Sequence, residues 1–190
     1  MSYSYVGGGS TNDGNPNIVN FTITIPAGFI VVGFNFTSYT TGTGTAQTSD
    51  GTNLHLDFLD GDGAGFFSGT IGASTSITVT SPVPFGNIAI DIWSFSTPQT
   101  LVTTATGLYG AALSGTLSGD SAFAVAVGAN SNWASSAPVP TNTHTAFTEN
   151  ADWIVTGTSI NAINAGGIDV AAADYRPSGA AAVLFAQACL

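Results

Sequence analysis

Residues 87–95 read NIAIDIWSF, and isoleucine recurs there at every second position, which is the period of an extended strand. One face of that strand is large and apolar, while the other carries a small, an acidic and an aromatic residue. A strand this apolar is predicted to be central in its sheet and covered on at least one side. Asp91 lies in its middle. A buried carboxylate needs hydrogen-bond donors unless it takes up a proton, so Asp91 is predicted to be structural.

The same alternation recurs along the chain, separated by Gly, Pro, Asn and Asp at regular intervals. The Ala content of residues 168–174 and 180–188 would also allow a helix, but strands are preferred because neither segment has helix caps. This pattern predicts an all-β fold, either an antiparallel β-sandwich or a jelly roll. Residues 17–25 and 29–36 are predicted to form a hairpin around a turn at 26–28. Further strands are predicted at residues 45–48, 53–59, 64–68, 76–80, 121–128, 152–158, 167–175 and 179–188.

The chain is divided by composition into an arm and a body. Residues 1–16 are rich in Gly, Ser, Asn and Tyr and are predicted to be an N-terminal arm. Residues 17–190 are predicted to be a single β-sandwich domain. Two halves, 17–97 and 101–190, remain an alternative division, with residues 98–107 as the segment that crosses between them.

The chain is poor in charge. Of its 190 residues 44% are hydrophobic and only 6% are charged, against roughly 25% in an average soluble domain. No apolar run approaches the ~18–20 residues of a membrane span. The composition therefore predicts a globular β protein whose surface is made of Thr, Ser, Asn and Gly, with no insertion into a membrane.

The few charges that exist are almost all negative. Eleven acids face one Arg and no Lys, which gives a net charge of −10. Binding to nucleic acid needs clustered cations, and this composition excludes it. A neutral surface suits contacts between subunits, because no ions must be desolvated. We therefore expect a homo-oligomer or a chain held in a symmetric assembly, and name the small-residue strand at 121–128 and the end strand at 179–190 as contacts.

Candidate metal ligands are few. Asp57, Asp60 and Asp62 lie in DFLDGDGAG, which resembles a calcium loop but lacks the D-x-D-x-D-G spacing and the closing Glu. The preferred interpretation is a solvated turn, and neither metal nor cofactor is predicted. His55 and His144 have no metal-binding spacing, and His55 is predicted to face away from the core.

Catalysis has little support in the residues. No G-x-S-x-G elbow is present, and a glycosidase would need a second carboxylate facing Asp91, which the sequence does not identify. The prediction is that the protein is not an enzyme. Cys189 cannot form an internal disulfide, because it is the one cysteine, and is interpreted as a small apolar residue of the last strand, with an intermolecular disulfide as the alternative.

Trp133 is the candidate ligand contact. It lies in the polar segment ANSNWASSA, where an exposed ring with amide and hydroxyl neighbours would suit a sugar face. The competing interpretation is that the ring packs over the end of the sandwich. A possible glycan partner follows from the first interpretation.

Three stretches in order carry a family resemblance: TITIPAG at 22–28, IAIDIWS at 88–94 and the apolar AAAVLFA at 180–186. In this order they resemble the β-sandwich or jelly-roll domains of phage virion structural proteins and related bacterial surface proteins, although the Trp of the last strand is missing here. The resemblance implies a structural or adhesive role.

The functional expectation joins the resemblance to the composition. We expect a non-enzymatic phage virion structural protein (capsid decoration, head fibre or tail-associated component) that acts through assembly with copies of itself and other virion proteins. The alternative is a carbohydrate-binding adhesin or lectin-like surface module. The first ten residues, MSYSYVGGGS, contain no basic or apolar signal region, so the expected site of synthesis is the host cytoplasm and the expected location is the virion.

Overall fold

The structure is a computed structural model, and the part of the chain that it describes is built from β-strands. Among these residues there are sixteen strands and no helix, and every strand pairing is antiparallel. The all-β prediction is confirmed. The residues described are 3–11, 17–36, 44–59, 64–81, 88–108, 112–116, 122–129, 142–144, 148–155, 159–163, 169–177 and 184–188.

The chain divides into two compact units, Met1–Pro98 and Gln99–Leu190. This boundary lies in the segment that the sequence analysis took as the crossing between two halves. The strands of the first unit are β1 (Tyr3–Thr11), β2 (Ile18–Phe21), β3 (Gly28–Phe36), β4 (Thr45–Thr48), β5 (His55–Leu59), β6 (Ala64–Ile71), β7 (Ile77–Thr80) and β8 (Ile88–Phe95).

The first unit is a sandwich of two sheets. A five-stranded sheet has the order β1-β8-β3-β6-β5, and a three-stranded sheet has the order β2-β7-β4. The chain crosses from one sheet to the other between β1 and β2, β2 and β3, β3 and β4, β4 and β5, β6 and β7, and β7 and β8. With the first and last strands side by side, this is the connectivity of a jelly roll.

The core of this unit lies between its two sheets, because each sheet turns an apolar face inward. Alternate residues at 30–34 of β3 and at 88–92 of β8 belong to it, and β2, β4 and β7 supply the facing layer. Fully burying each large apolar side chain contributes about 1.5–3 kcal/mol, so this cluster is the main source of stability. The completely buried members are Ile25, Ile30, Val32, Phe67, Ile77, Val79, Ile88, Ile90 and Ile92.

The second unit repeats much of this connectivity. Its strands are β9 (Gln99–Leu108), β10 (Ala112–Thr116), β11 (Ala122–Ala129), β12 (Asn142–His144), β13 (Thr148–Val155), β14 (Ser159–Ile163), β15 (Asp169–Pro177) and β16 (Leu184–Ala188).

The five-stranded sheet of the second unit has the order β9-β15-β11-β13-β12, which corresponds to the order β1-β8-β3-β6-β5 in the first unit. In the smaller sheet, β10 pairs with β14 as β2 pairs with β7. The remaining strand, β16, pairs with the other edge of β10.

The N-terminal segment differs from the arm predicted for residues 1–16. Residues 3–11 form β1, which pairs along its length with β8 at one edge of the five-stranded sheet. A glycine-rich strand has low intrinsic propensity, so the alternation of residues indicated no strand there. The pairing comes from the ladder that β8 offers and not from the residue pattern of β1.

The hairpin predicted for residues 17–36 is wrong. β2 pairs with β7 in the three-stranded sheet, while β3 lies between β8 and β6 in the other sheet. The turn at 26–28 therefore carries the chain across the sandwich. Ile25 forms an isolated bridge with Ser74 just before the crossing and is completely buried. Two apolar strands joined by a short turn can pair with each other or face each other, and their pattern is the same in both cases.

Candidate functional site

Asp91 is a completely buried carboxylate. It lies on β8, the second strand of the five-stranded sheet, as the alternation in residues 87–95 predicted. The residues directly opposite it are glycines on both sides, Gly8 on β1 and Gly33 on β3. The face that it shares with Trp93 is also buried, since Trp93 and Val31 are fully covered, so both sides of β8 are shielded from water.

The hydroxyl of Tyr5 donates a hydrogen bond to Oδ1 of Asp91 at 2.5 Å. Tyr5 is paired with Trp93 in the ladder, and its ring centroid lies 6.1 Å from the indole at an interplanar angle of 57°. A register shift between Tyr5 and Gly7 marks a β-bulge at Val6. Because a hydrogen bond to an ionised acceptor is short and strong, this contact joins the edge strand β1 to the buried acid.

The geometry makes Asp91 part of the contact between β1 and β8. The neighbouring glycines lack side chains, and the phenol of Tyr5 reaches diagonally along the sheet to the carboxylate. Tyr5 itself is 39% exposed, so the pair links the surface of β1 to the interior of the unit. The donor that the sequence analysis required for Asp91 is therefore a side chain of the segment taken there as an arm, which is why sequence reasoning missed it.

A second carboxylate, Asp50, organises the loop after β4. A tight turn at residues 48–52 has Gly51 at φ +91° and a bond from the Gly51 N–H to the Thr48 carbonyl, so the chain folds back to pair Gln47 with Asn53. Oδ1 of Asp50 accepts from the Thr48 hydroxyl at 2.6 Å and the Thr52 N–H at 3.0 Å. Oδ2 accepts from the Thr52 hydroxyl at 3.0 Å and the Gly72 N–H at 2.5 Å.

These donors determine the electrostatics of Asp50. The hydrogen bond from the Thr48 hydroxyl, followed by that from the Thr52 N–H, holds the pKa of Asp50 well below its ordinary value of 3.8. The dipeptide formed by Asp50 and Gly51 is by itself typical of a turn and does not indicate these hydrogen bonds. The pattern T-x-D-G-T, in which hydroxyls flank the acid on both sides, is the signal that would have identified this bonded loop.

The metal candidates are only partly within the described residues. Asp57 lies on β5, where its Oδ1 is 2.8 Å from Nδ1 of His55. The His55 side chain is 81% exposed and the Asp57 side chain 10%, so His55 faces away from the core as predicted. Among the described residues no group of three or more His, Cys, Asp or Glu could hold a metal ion, and Asp60 and Asp62 lie outside those residues.

The candidate ligand contact, Trp133, also lies outside the described residues, as does Cys189. His144 belongs to β12, the short strand at the edge of the second unit's large sheet. The structure therefore brings together Tyr5, Asp91 and Trp93, and separately Asp50 with its threonines.

Comparisons with known proteins found nothing similar to this chain. A scan against protein-family models, a search of curated proteins and a search of solved structures each gave no match. The residues that the structure describes include no helix of the length and apolarity that a membrane span requires.

Proposed function

We propose that this chain is a non-enzymatic structural protein of a phage virion, a capsid decoration, head-fibre or tail-associated component that acts through subunit assembly. The observation that carries the proposal is the pair of units with matching strand order, the first of them a jelly roll. Jelly rolls are typical of viral capsid and lectin domains. This support comes from architecture, and the resemblance of the three sequence stretches adds the phage context.

The charge distribution favours assembly between copies. The single Arg of the chain, Arg176, is 1% exposed on β15, so it does not provide a cation on the surface. Contacts between copies must then use neutral polar and apolar residues, which are the ones that lose least free energy on desolvation. The outward face of the three-stranded sheet has this character, with Thr78 donating to Asn20 and Gln47 donating to Asn53.

The described carboxylates support a non-catalytic role. Asp50 is held by threonine hydroxyls and backbone N–H groups, Asp57 contacts His55, and Asp91 accepts from Tyr5. Asp50 holds a turn, Asp91 joins two paired strands, and Asp57 contacts a residue of its own strand. Their arrangement is what a folded scaffold needs and differs from a pair of carboxylates facing one substrate.

The test is the composition of purified particles. Quantitative mass spectrometry of virions from a phage that encodes this chain should find it at a copy number that matches capsid or tail symmetry. Light scattering of the purified chain should give an oligomer at tens of micromolar. Absence from the particles, with a stable monomer in solution, would contradict the proposal.

A matched variant distinguishes the carbohydrate-binding alternative from the structural role. Because that alternative rests on Trp133, a glycan array probed with the wild-type chain and with Trp133→Ala distinguishes the two functions. Binding that disappears in Trp133→Ala but survives in Trp93→Phe, whose ring is buried, would favour the lectin-like module. If the chain has the structural role, neither the wild-type chain nor the Trp133→Ala variant should bind a glycan on the array.

A further inference from the structure

We propose that β1 is exchanged between copies of this chain, so that residues 3–11 of one copy pair with β8 of another. The inference rests on the proposed function, since it takes assembly of copies as given. It identifies the groove beside β8 as an interaction surface, and its occupant as the β1 strand of a second copy.

The attachment of β1 is mostly backbone. Its ladder with β8 runs from Tyr3 to Thr11, while Gly7, Gly8 and Gly9 have no side chains to anchor it. Its side-chain contacts include the Tyr5 bond to Asp91, the packing of the Tyr5 ring on Trp93, a 2.8 Å bond between the Ser4 and Ser94 hydroxyls and the packing of Val6 on the core. A strand at the edge of a sheet opens at a lower free energy than a central strand, and each of these interactions re-forms when an identical strand docks.

If β1 left the sheet, the empty groove beside β8 would destabilise the unit. Asp91 and Trp93 are completely buried beside β1, and removing Tyr5 would take a hydrogen-bond donor from a buried carboxylate. The backbone groups of β8 that face β1 would also lose their partners. A unit whose β1 has left the sheet is therefore stabilised when another strand pairs with β8 in the same place.

The groove accepts a narrow set of sequences. A Cβ atom built on Gly9 would lie 2.9 Å from Cδ1 of Phe21, and one built on Gly7 would lie 3.1 Å from Cγ2 of Ile23. A tyrosine is also needed where its hydroxyl meets Asp91. Among the described strands β1 itself meets both conditions, so a second copy is the partner that fits.

Charge permits the exchange, and chain length limits its reach. Residues 3–11 contain no Asp, Glu, Lys or Arg, so a docking strand brings no like charge to a partner with a net charge of −10. Residues 12–17 connect β1 to β2, and six extended residues span up to about 20 Å. The length of this segment therefore limits how far β1 can move from its own sheet to about that distance.

A disulfide between β1 and β8 tests the inference. Ser4 and Ser94 face each other in the ladder with their hydroxyls 2.8 Å apart, so Ser4→Cys with Ser94→Cys places two thiols within bonding reach. The full chain carrying both changes and Cys189→Ser is refolded, oxidised and examined on a denaturing gel without reductant. Exchange predicts covalent dimers or higher oligomers that collapse to monomers when reductant is added.

A mixing experiment is the control. Chains with only Ser4→Cys and chains with only Ser94→Cys, both in the Cys189→Ser background and differing in tag, are refolded together and oxidised. Exchange predicts a disulfide that joins the two tags, and neither chain alone should give that product.

Other outcomes overturn the inference. An intrachain disulfide in an assembly that light scattering still finds oligomeric would reject exchange but leave the proposed function standing. An intrachain disulfide in a monomer would reject both. Thiols that stay reduced would place β1 away from β8 and reject the exchange as well.

Discussion

Oδ2 of Asp50 lies 2.5 Å from the backbone nitrogen of Gly72, so one carboxylate joins the loop after β4 to the segment between β6 and β7. The same segment is tied from the other side, since the Asp50 N–H donates to the Ser74 hydroxyl at 3.3 Å and the Thr75 N–H donates to the Ser49 hydroxyl at 2.8 Å. Two turns that are distant in sequence are thus fixed together at one end of the first unit.

Acid should weaken this connection. The pKa of Asp50 is held below its ordinary value of 3.8, so its contribution to stability is present in full above that value and is lost as the pH falls through the lower, folded-state pKa. Asp50→Asn should lower the Tm at pH 7, modestly because the residue is exposed. Thermal unfolding from pH 7 down to pH 2 should show the difference between wild type and variant shrinking.

Thr52→Val is the matched control for Asp50. It removes one hydroxyl donor and keeps the shape of the side chain, so it should reproduce part of the pH-dependent loss. An Asp50→Asn variant whose Tm runs parallel to that of wild type over the whole pH range would show that the carboxylate contributes nothing through its charge.

The sequence predicted the interior of the first unit well because its strands bury alternate residues. The isoleucines of β8 and the burial of Asp91 follow from a period of two, and β4 was predicted at its observed bounds. The same logic failed at β1, where glycines at positions 7 to 9 hold no pattern, and at β9, which had been taken as a crossing segment. Strands whose pairing depends on a neighbour cannot be identified from their own residues.

The repeated strand order of the two units was also invisible in the sequence. β8 reads IAIDIWSF and β15 reads DVAAADYRP, yet each lies between the first and third strands of its unit. Connectivity depends on which strands face each other across the core, and many sequences satisfy that requirement. The donor to Asp91 was missed for the same reason, because Tyr5 meets it only through pairing 86 residues apart in the chain.

Gly51 should tolerate Asn but not Ala. Its φ of +91° lies in the left-handed region, while no atom lies within 4 Å of a Cβ built there, so the cost of a side chain is backbone strain alone. We expect Gly51→Ala to lose about 1–2 kcal/mol and Gly51→Asn to lose less, since Asn enters this region more readily. Denaturant unfolding of both variants measures the difference, and equal losses would contradict the strain argument.

A side chain at Gly65 should also destabilise the fold, but for a different reason. A Cβ atom there would lie 2.6 Å from Cζ of Phe34 and would also meet the carbonyl of Phe58 across the β5–β6 ladder. Gly65→Ala should therefore cost about 1–3 kcal/mol by overpacking. Gly69→Ala on the same strand is the control, because its new methyl would meet the flexible end of Leu54 at 3.0 Å. A smaller loss at 65 than at 69 would contradict this packing.

Calcium should leave the stability of the chain unchanged. Asp57 is directed to His55, and the sequence at 57–62 lacks the spacing of a calcium loop. Specific binding to the folded state would raise the Tm by mass action. A rise of several degrees with added calcium, reversed by chelator and absent in an Asp60→Asn variant, would show that the segment is a metal site.

Tyr5→Phe should be far more damaging than Asp91→Asn. Removing the phenol hydroxyl leaves a buried carboxylate without this donor, which costs about 1–3 kcal/mol, whereas an amide at position 91 still offers the Tyr5 hydroxyl an acceptor. Ser4→Ala is the control on the same strand, because its hydrogen bond to Ser94 is exposed and should be worth at most about 0.5 kcal/mol. Denaturant unfolding gives all three values. In an Asp91→Asn background the loss from Tyr5→Phe should shrink, since the acceptor there is neutral. An undiminished loss in that background would mean that the Tyr5 hydroxyl stabilises β1 independently of the negative charge at position 91, since Tyr5→Phe keeps the ring that packs on Trp93.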